Sequence, residues 1–152
     1  MQTRPKIWLA SDHAGLSLRA ALQVHLAAQG HDVVDLGPHE RASVDYPDFA
    51  RTACEQVLSA PGGVGVLVCG TGIGMSMAAN RIPGIRAALC TSEFEARATR
   101  SHNDANVLCL GERVVGVGVA LAILDAFLAT PFEGGRHAAR VAKLTALERG
   151  SG

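Results

Sequence analysis

Apolar positions along the chain follow two different periods. Short apolar runs, typical of buried β-strands, occur at residues 7–10, 32–36, 64–68, 86–91 and 106–110. Between these runs, apolar residues recur at the spacing of one helix face, which predicts helices over 16–29, 48–59, 92–101, 114–128 and 136–149. Repeated strand–helix units of this length predict an α/β fold whose parallel sheet carries helices on both faces.

Turn and cap residues place the boundaries of several elements. The polar stretch 37–47 contains prolines and is predicted to be a loop. Asp48 is then the candidate N-cap of the second helix, which the Pro-Gly-Gly sequence at 61–63 ends. Ser92, followed three residues later by Glu95, forms a capping box and predicts the start of a helix there.

The composition is that of a folded domain. The chain has 152 residues, of which 48% are hydrophobic and 18% charged, so it is too apolar for an intrinsically disordered protein. We expect a single domain over residues 1–152, with 150–152 as a loose tail. Acidic and basic residues balance to a formal charge of +0, and aromatics make up only 4%. A nucleic-acid partner is therefore not expected.

The cysteines and the longest apolar stretch bear on cellular location. No C-x-x-C pair occurs among the four cysteines, so neither a zinc knuckle nor a redox pair is predicted. The chain start shows no signal-peptide pattern, since residues 1–6 lead straight into a predicted strand. The apolar stretch 114–124 is too short to span a membrane. We expect a soluble, reduced, cytoplasmic protein.

Candidate chemistry is concentrated in three turns. Parallel α/β sheets bind ligands at the carboxyl ends of their strands, so turns that follow strands are the places to search. The first, Ser11–Gly15, contains a histidine, and the second, Cys69–Gly74, is rich in glycine. The third, Ser101–Asp104, precedes the last strand, and Arg113 follows soon after.

The glycine-rich turn does not fit a nucleotide site. A dinucleotide fingerprint would need glycine where Met75 or Met77 stands, and a P-loop would need a lysine that the turn lacks. Its backbone N–H groups, at the start of a helix, would nonetheless form an anion site. Cys69, just before that site, would have its thiolate favoured by the helix dipole, whereas the other cysteines are expected to be packing residues.

Histidines and arginines extend this picture. His13 and His102 lie in the unusual turns and are candidates for function. A metal site made from Asp12, His13, His102 and Asp104 has no recognisable ligand spacing, and no metal is expected. Arg136 and Arg140 lie four residues apart on one helix face, which alone would be an ordinary solvated face. Because two glycines precede them, they are also suited to hold a phosphate dianion.

Six motifs in order resemble the type B ribose-5-phosphate isomerases, a group within the family that also holds galactose-6-phosphate isomerase subunits. The resemblance covers about residues 6–148, and each motif is weak alone but specific in combination. The motifs are Ser11–Gly15, Asp45–Pro47, Cys69–Gly74, Ser101–Asp104, Gly111–Gly116 and Phe132–His137.

The resemblance implies a fold, an assembly and a reaction. The fold would be a Rossmann-like three-layer α/β/α sandwich with a five-stranded parallel sheet. The assembly would be a homodimer or a dimer of dimers with shared active sites, without cofactor or metal. The reaction would interconvert ribose 5-phosphate and ribulose 5-phosphate by proton transfer through an enediolate.

The resemblance also assigns roles. Cys69 would be the base, and Thr71 with the backbone of 70–74 would hold the enediolate oxygen, while His102 would help to open the sugar ring. Since position 75 is Met75, the chain resembles the branch that uses cysteine rather than a nearby glutamate. His102, Asn103 and Arg113 would come from the neighbouring subunit. The implied substrate-binding positions are Asp12, His13, Tyr46, Gly70, Gly72, Gly74, Asn103, Arg113, Arg136 and Arg140.

Other functions remain open at this level. The same chemistry in a resized pocket would act on galactose 6-phosphate, allose 6-phosphate or a tetrose phosphate. A heteromeric galactose-6-phosphate isomerase subunit would need a partner chain. A phosphosugar sensor on the same fold would bind without catalysis, although the presence of Cys69, Thr71 and His102 argues against a pure binder.

Overall fold

The computed structural model describes residues 3–148, so Arg149 and the tail expected at 150–152 lie outside the described residues. Its strands are β1 (Ile7–Ser11), β2 (Val33–Asp35), β3 (Val64–Cys69), β4 (Ala87–Leu89) and β5 (Val107–Gly111). Its helices are α1 (Leu16–Ala28), α2 (Tyr46–Ser59), α3 (Ile73–Ala79), α4 (Glu93–Asn103), α5 (Val117–Ala129) and α6 (Arg136–Leu147), with a short 3₁₀ turn at His13–Gly15.

The strands form one sheet in the order β2-β1-β3-β5-β4. Every neighbouring pair is parallel, which confirms the predicted five-stranded parallel sheet. The strand order reverses direction between β1 and β3, and parallel α/β sheets bind ligands at such a switch point. The turns that begin at Asp12 and Gly70 therefore lie at the place where a ligand is expected.

Two buried layers sandwich the sheet, one on each face. Ile7 and Leu9 of β1 join a core with α1 and α5, whereas Trp8 and Ala10 point into a second core with α2 and α3. Successive side chains of a strand alternate between faces, so a strand buried on both sides is apolar at every position. This burial is the reason that the strand segments form continuous apolar runs rather than alternating ones.

Two helix starts differ from their prediction. The second helix begins at Tyr46, so the prediction that Asp48 is its N-cap is wrong: Asp45 occupies that position. Pro47 fits the first turn because that turn has no intrahelical partner for an N–H group. The apolar helix α5 begins at Val117 instead of residue 114, since Gly116 is extended. Within residues 3–148, no helix is long and apolar enough to cross a membrane.

Candidate active site

Cys69 ends β3 at the centre of the sheet and is 4% exposed. Its sulfur accepts a hydrogen bond from the Gly72 backbone N–H at 3.1 Å. Gly72 has a φ of +78°, a conformation that glycine adopts without strain, and it immediately precedes α3. The side chain of Thr71 accepts from the N–H of Ile73 at 3.2 Å. The loop therefore holds the sulfur beside a backbone donor at the start of α3.

The other cysteines are packing residues, as expected. Cys54, Cys90 and Cys109 are at most 1% exposed. Burial raises the pKa of Cys54 and of Cys90 to about 12, and it also raises the pKa of Cys109. Such thiols remain protonated near neutral pH and are poor nucleophiles or bases.

Tyr46 and Arg113 both lie over the Cys69 loop. A β-carbon on Gly74 would lie 2.7 Å from Cζ of the Tyr46 ring, so only glycine allows this contact. A β-carbon on Gly70 would lie 3.3 Å from Arg113 Nη1, and the Arg113 N–H donates to the Gly70 carbonyl at 3.0 Å. Arg113 thus contacts the Cys69 loop of its own chain.

Asp12 and His13 lie in the adjoining turn after β1. Asp12 is 7% exposed, accepts from the Ala14 N–H at 2.9 Å and donates its own N–H to Val68 of β3. His13 Nδ1 accepts from the Val44 N–H at 3.2 Å, so in the neutral ring the proton is on Nε2. These contacts fix both residues at the end of the sheet where Cys69 lies.

A second group of candidate residues lies where α4 ends and α6 begins. The rings of His102 and His137 are stacked, with centroids 4.3 Å apart and planes at 12°. Burial lowers the pKa of His137, and the charge of the neighbouring His102 lowers it further, which favours the neutral form of His137. Asn103 and Arg140 line the same cavity. Arg136 begins α6.

The two groups are not brought together by one chain. Cys69 pairs with Gly111 at the carboxyl end of β5, whereas α4 leads into the amino end of that strand. The third turn predicted at strand carboxyl ends is therefore misplaced: residues 101–103 form the last turn of α4, at the opposite edge of the sheet. The physical reason is the direction of the strand: a segment that precedes a strand lies at the amino end of that strand, whereas ligands bind at the carboxyl end.

One set of possible metal ligands occurs among residues 3–148. The ligand atoms of His102, Glu133 and His137 lie within 4.8 Å of one another. Arg136 begins the helix that carries His137, and Arg140 lines the cavity beside both rings. Their positive charge opposes a cation and favours an anion, so this group is better suited to phosphate.

Sequence reasoning missed Glu112. Its carboxylate accepts from the Leu18 N–H at 2.6 Å and so caps the start of α1, next to His13. Its own backbone N–H donates to the Cys69 carbonyl at 3.0 Å. The residue falls within the motif Gly111–Gly116, but a contact across 94 positions leaves no local signal in one sequence.

The fold and this cysteine loop define a class: parallel α/β proteins with a buried thiol in a glycine-rich loop at the switch point of the sheet. Within that class, the chain belongs to the ribose/galactose isomerase family, whose model matches residues 7–144. Ribose-5-phosphate isomerase B of Escherichia coli is 42% identical over 144 residues, 95% of this chain and 97% of that protein.

Solved structures agree with this assignment. The chain is similar to ribose-5-phosphate isomerase B of Clostridium thermocellum, with a TM-score of 0.93, 50% identity, and coverage of 95% of this chain and 97% of that one. It is also similar to the Mycoplasma genitalium ribose-5-phosphate isomerase B with bound ribulose 5-phosphate. In that comparison the TM-score is 0.93, the identity is 43%, and the coverage is 99% of this chain and 100% of that one.

Proposed function

We propose that this protein is an aldose–ketose isomerase that interconverts ribose 5-phosphate and ribulose 5-phosphate. The observation that carries the proposal is the Cys69 sulfur, held by the Gly72 N–H at the switch point of the sheet. The family membership and the ribulose 5-phosphate bound by the Mycoplasma genitalium protein support the same substrate class.

Cys69 acts as the base. With the sugar ring open, the thiolate takes the proton from C2. The C2–H electron pair forms the C1–C2 double bond, and the π pair of the C1 carbonyl moves to its oxygen to give the enediolate. The thiol then returns the proton to C1, while the hydroxyl proton moves between the two oxygens, so that no oxidant is consumed. Thr71 and the N–H groups of 70–74 would hold the enediolate oxygen, because fixed donors in a buried site stabilise developing negative charge without reorganising.

The remaining side chains bind and prepare the substrate. His102 would assist ring opening, and Asp12, Tyr46 and Asn103 would hold sugar hydroxyls. His13, Arg113, Arg136 and Arg140 would hold the phosphate, whose binding energy positions the reacting carbons over the cysteine.

We further propose that the site is shared in a cytoplasmic homodimer or dimer of dimers. Cys69 lies at the carboxyl ends of the strands and His102 at the amino end of β5, which supports a site that a second copy completes. The segment that follows Arg113 supplies apolar surface for such an interface, because three of its side chains are 50–54% exposed: Val114, Val117 and Val119. Each chain would contribute a single domain.

The test is a substrate panel with the purified homo-oligomer. Rates are measured for aldose phosphates of four, five and six carbons, with ribose 5-phosphate expected to give the highest kcat/KM. A preference for a tetrose or hexose phosphate would show a related isomerase instead. Binding of every phosphosugar without turnover would show a sensor, and activity only after adding another chain would show a heteromeric subunit.

A further inference from the structure

Arg19 is a buried cation that the reaction does not use. It is the fourth residue of α1 and is only 6% exposed. Nη1 donates to the Ser11 hydroxyl at 2.5 Å, and Nη2 donates to the Pro38 carbonyl at 2.6 Å. Nε lies 3.0 Å from Asp35 Oδ1, an ion pair whose N–H is not aligned for a hydrogen bond. One guanidinium thus joins the ends of β1 and β2 to the loop that follows.

Both joined segments lead directly into the candidate site. Ser11 is the last residue of β1 and precedes Asp12 and His13. Pro38 begins the loop whose later residue Val44 donates its N–H to His13 Nδ1. The same loop ends at Tyr46 of α2, the residue whose ring covers Gly74.

Further hydrogen bonds connect the ends of β1 and β2 with the loop that follows β2. The Ser11 N–H donates to the Gly37 carbonyl at 3.0 Å, and the Gly37 N–H donates to Asp35 Oδ1 at 3.0 Å. A buried charge costs free energy unless it is paired and hydrogen-bonded. The guanidinium therefore keeps its three partners in place, and they in turn keep it oriented. A lysine ammonium is a single point charge and would not reproduce contacts from three separate nitrogens.

We propose that Arg19 is a positioning residue for phosphosugar binding, an inference that rests on the proposed function. It holds the loop that begins at Pro38 against Ser11, and thereby orients His13 and Asp12 toward the phosphate and hydroxyls of the substrate. Cys69 lies on β3 and is not among the partners of Arg19, which are Ser11, Pro38 and Asp35. Loss of Arg19 should therefore weaken binding and leave the proton-transfer step largely intact.

The experiment compares Arg19→Met and Arg19→Lys with the unaltered protein. Steady-state kinetics give kcat and KM for ribose 5-phosphate, and calorimetric titration gives the Kd for inorganic phosphate without any turnover. For Arg19→Met we expect KM and the phosphate Kd each to rise about tenfold, with kcat changed less than about threefold, the pattern of lost ground-state binding. Arg19→Lys should recover part of the loss.

Leu26→Ala is the matched control, because it removes a fully buried side chain from the same helix, at the end away from Ser11. It should lower the Tm and leave KM and the phosphate Kd unchanged. Unchanged KM and Kd in folded Arg19→Met would overturn the proposal. So would an equal rise in Leu26→Ala at a comparable Tm, since Arg19 would then act only through stability.

Two further outcomes are also decisive. If Arg19→Met does not fold, Arg19→Lys carries the test, and a KM and Kd equal to those of the unaltered protein would overturn the proposal. If the unaltered protein does not isomerise ribose 5-phosphate, the proposed function fails. The phosphate Kd values then still test Arg19, because they require no catalysis.

Discussion

Replacing Gly72 by alanine is expected to damage both the stability and the activity of the protein. Gly72 has a φ of +78° and supplies the N–H that the Cys69 sulfur accepts. A β-carbon there would lie 2.5 Å from Leu89 Cδ1 and 3.0 Å from the Leu110 carbonyl carbon. The leucine side chain can move aside, whereas the backbone of β5 cannot do so without disturbing the sheet.

The magnitude follows from two contributions. The left-handed backbone costs a non-glycine residue about 1–2 kcal/mol. Overpacking against a strand backbone adds about 1–3 kcal/mol, so the free energy of unfolding should fall by about 2–5 kcal/mol in total. Relief of the overlap moves the N–H away from the sulfur, and a hydrogen bond to a charged group contributes about 1.5–3 kcal/mol. The value of kcat should therefore fall about tenfold to a hundredfold.

Gly62→Ala is the control, because Gly62 has a φ of +73° but a β-carbon added there would meet nothing within 4 Å among residues 3–148. Denaturant unfolding of both variants separates backbone strain from overlap, and kinetics with ribose 5-phosphate report the hydrogen bond. We expect Gly62→Ala to lose only the backbone contribution and to keep full kcat. If Gly72→Ala proved as stable as Gly62→Ala and equally active, the role assigned to this loop would be refuted.

Three further predictions concern phosphate binding, thiol reactivity and acid stability. Arg136→Ala should lower kcat/KM by about two orders of magnitude, mostly through a higher KM, and Arg136→Lys should recover part of the loss. Arg51→Ala is the control and should leave kcat/KM unchanged, because the exposed Arg51 side chain pairs only within α2. Iodoacetamide at pH 8 should modify Cys69 before Cys54, whose pKa of about 12 leaves a thiolate fraction of about 10⁻⁴; labelling of Cys54 first would contradict this. Hydrogen bonding from Thr91 holds the pKa of Glu95 below its ordinary value. The ionised carboxylate therefore stabilises the fold at neutral pH and loses this effect as the pH falls through the pKa of the folded state. The Tm of Glu95→Gln should therefore lie below that of the unaltered protein at pH 7 and meet it in acid, and an equal difference at both pH values would show that the charge contributes nothing.

The fold was largely predictable because its signals are local. Buried strands such as β3 are apolar at every position, and the capping box at Ser92 is present as predicted, with the serine accepting from the Glu95 N–H. Helix starts carry a weaker local signal, since both Asp45 and Asp48 are acceptable N-caps by residue type. The helix begins at Tyr46, whose ring packs on Gly74, and such a contact between distant segments leaves no local signal in the sequence.

The candidate site was predictable only in part, because its contacts join distant segments. The cysteine loop is continuous in sequence, so its motif identified Cys69 and its glycines together. Arg113 reaches the loop through the pairing of β3 with β5, a register that one sequence does not reveal. Glu112 and Arg19 were missed for the same reason, since each acts through residues far away in the chain or on another element.

Solvent-deuterium exchange in Cys69→Ala tests the central claim most directly. Ribose 5-phosphate is incubated in D₂O with the unaltered protein or the variant, and incorporation at the exchanging carbon is followed by NMR. The unaltered protein should introduce deuterium during isomerisation, whereas Cys69→Ala should introduce none yet still bind the phosphosugar within a few fold, because the lost group acts mainly in the transition state. Undiminished exchange by Cys69→Ala would show that another group is the base and would contradict the mechanism.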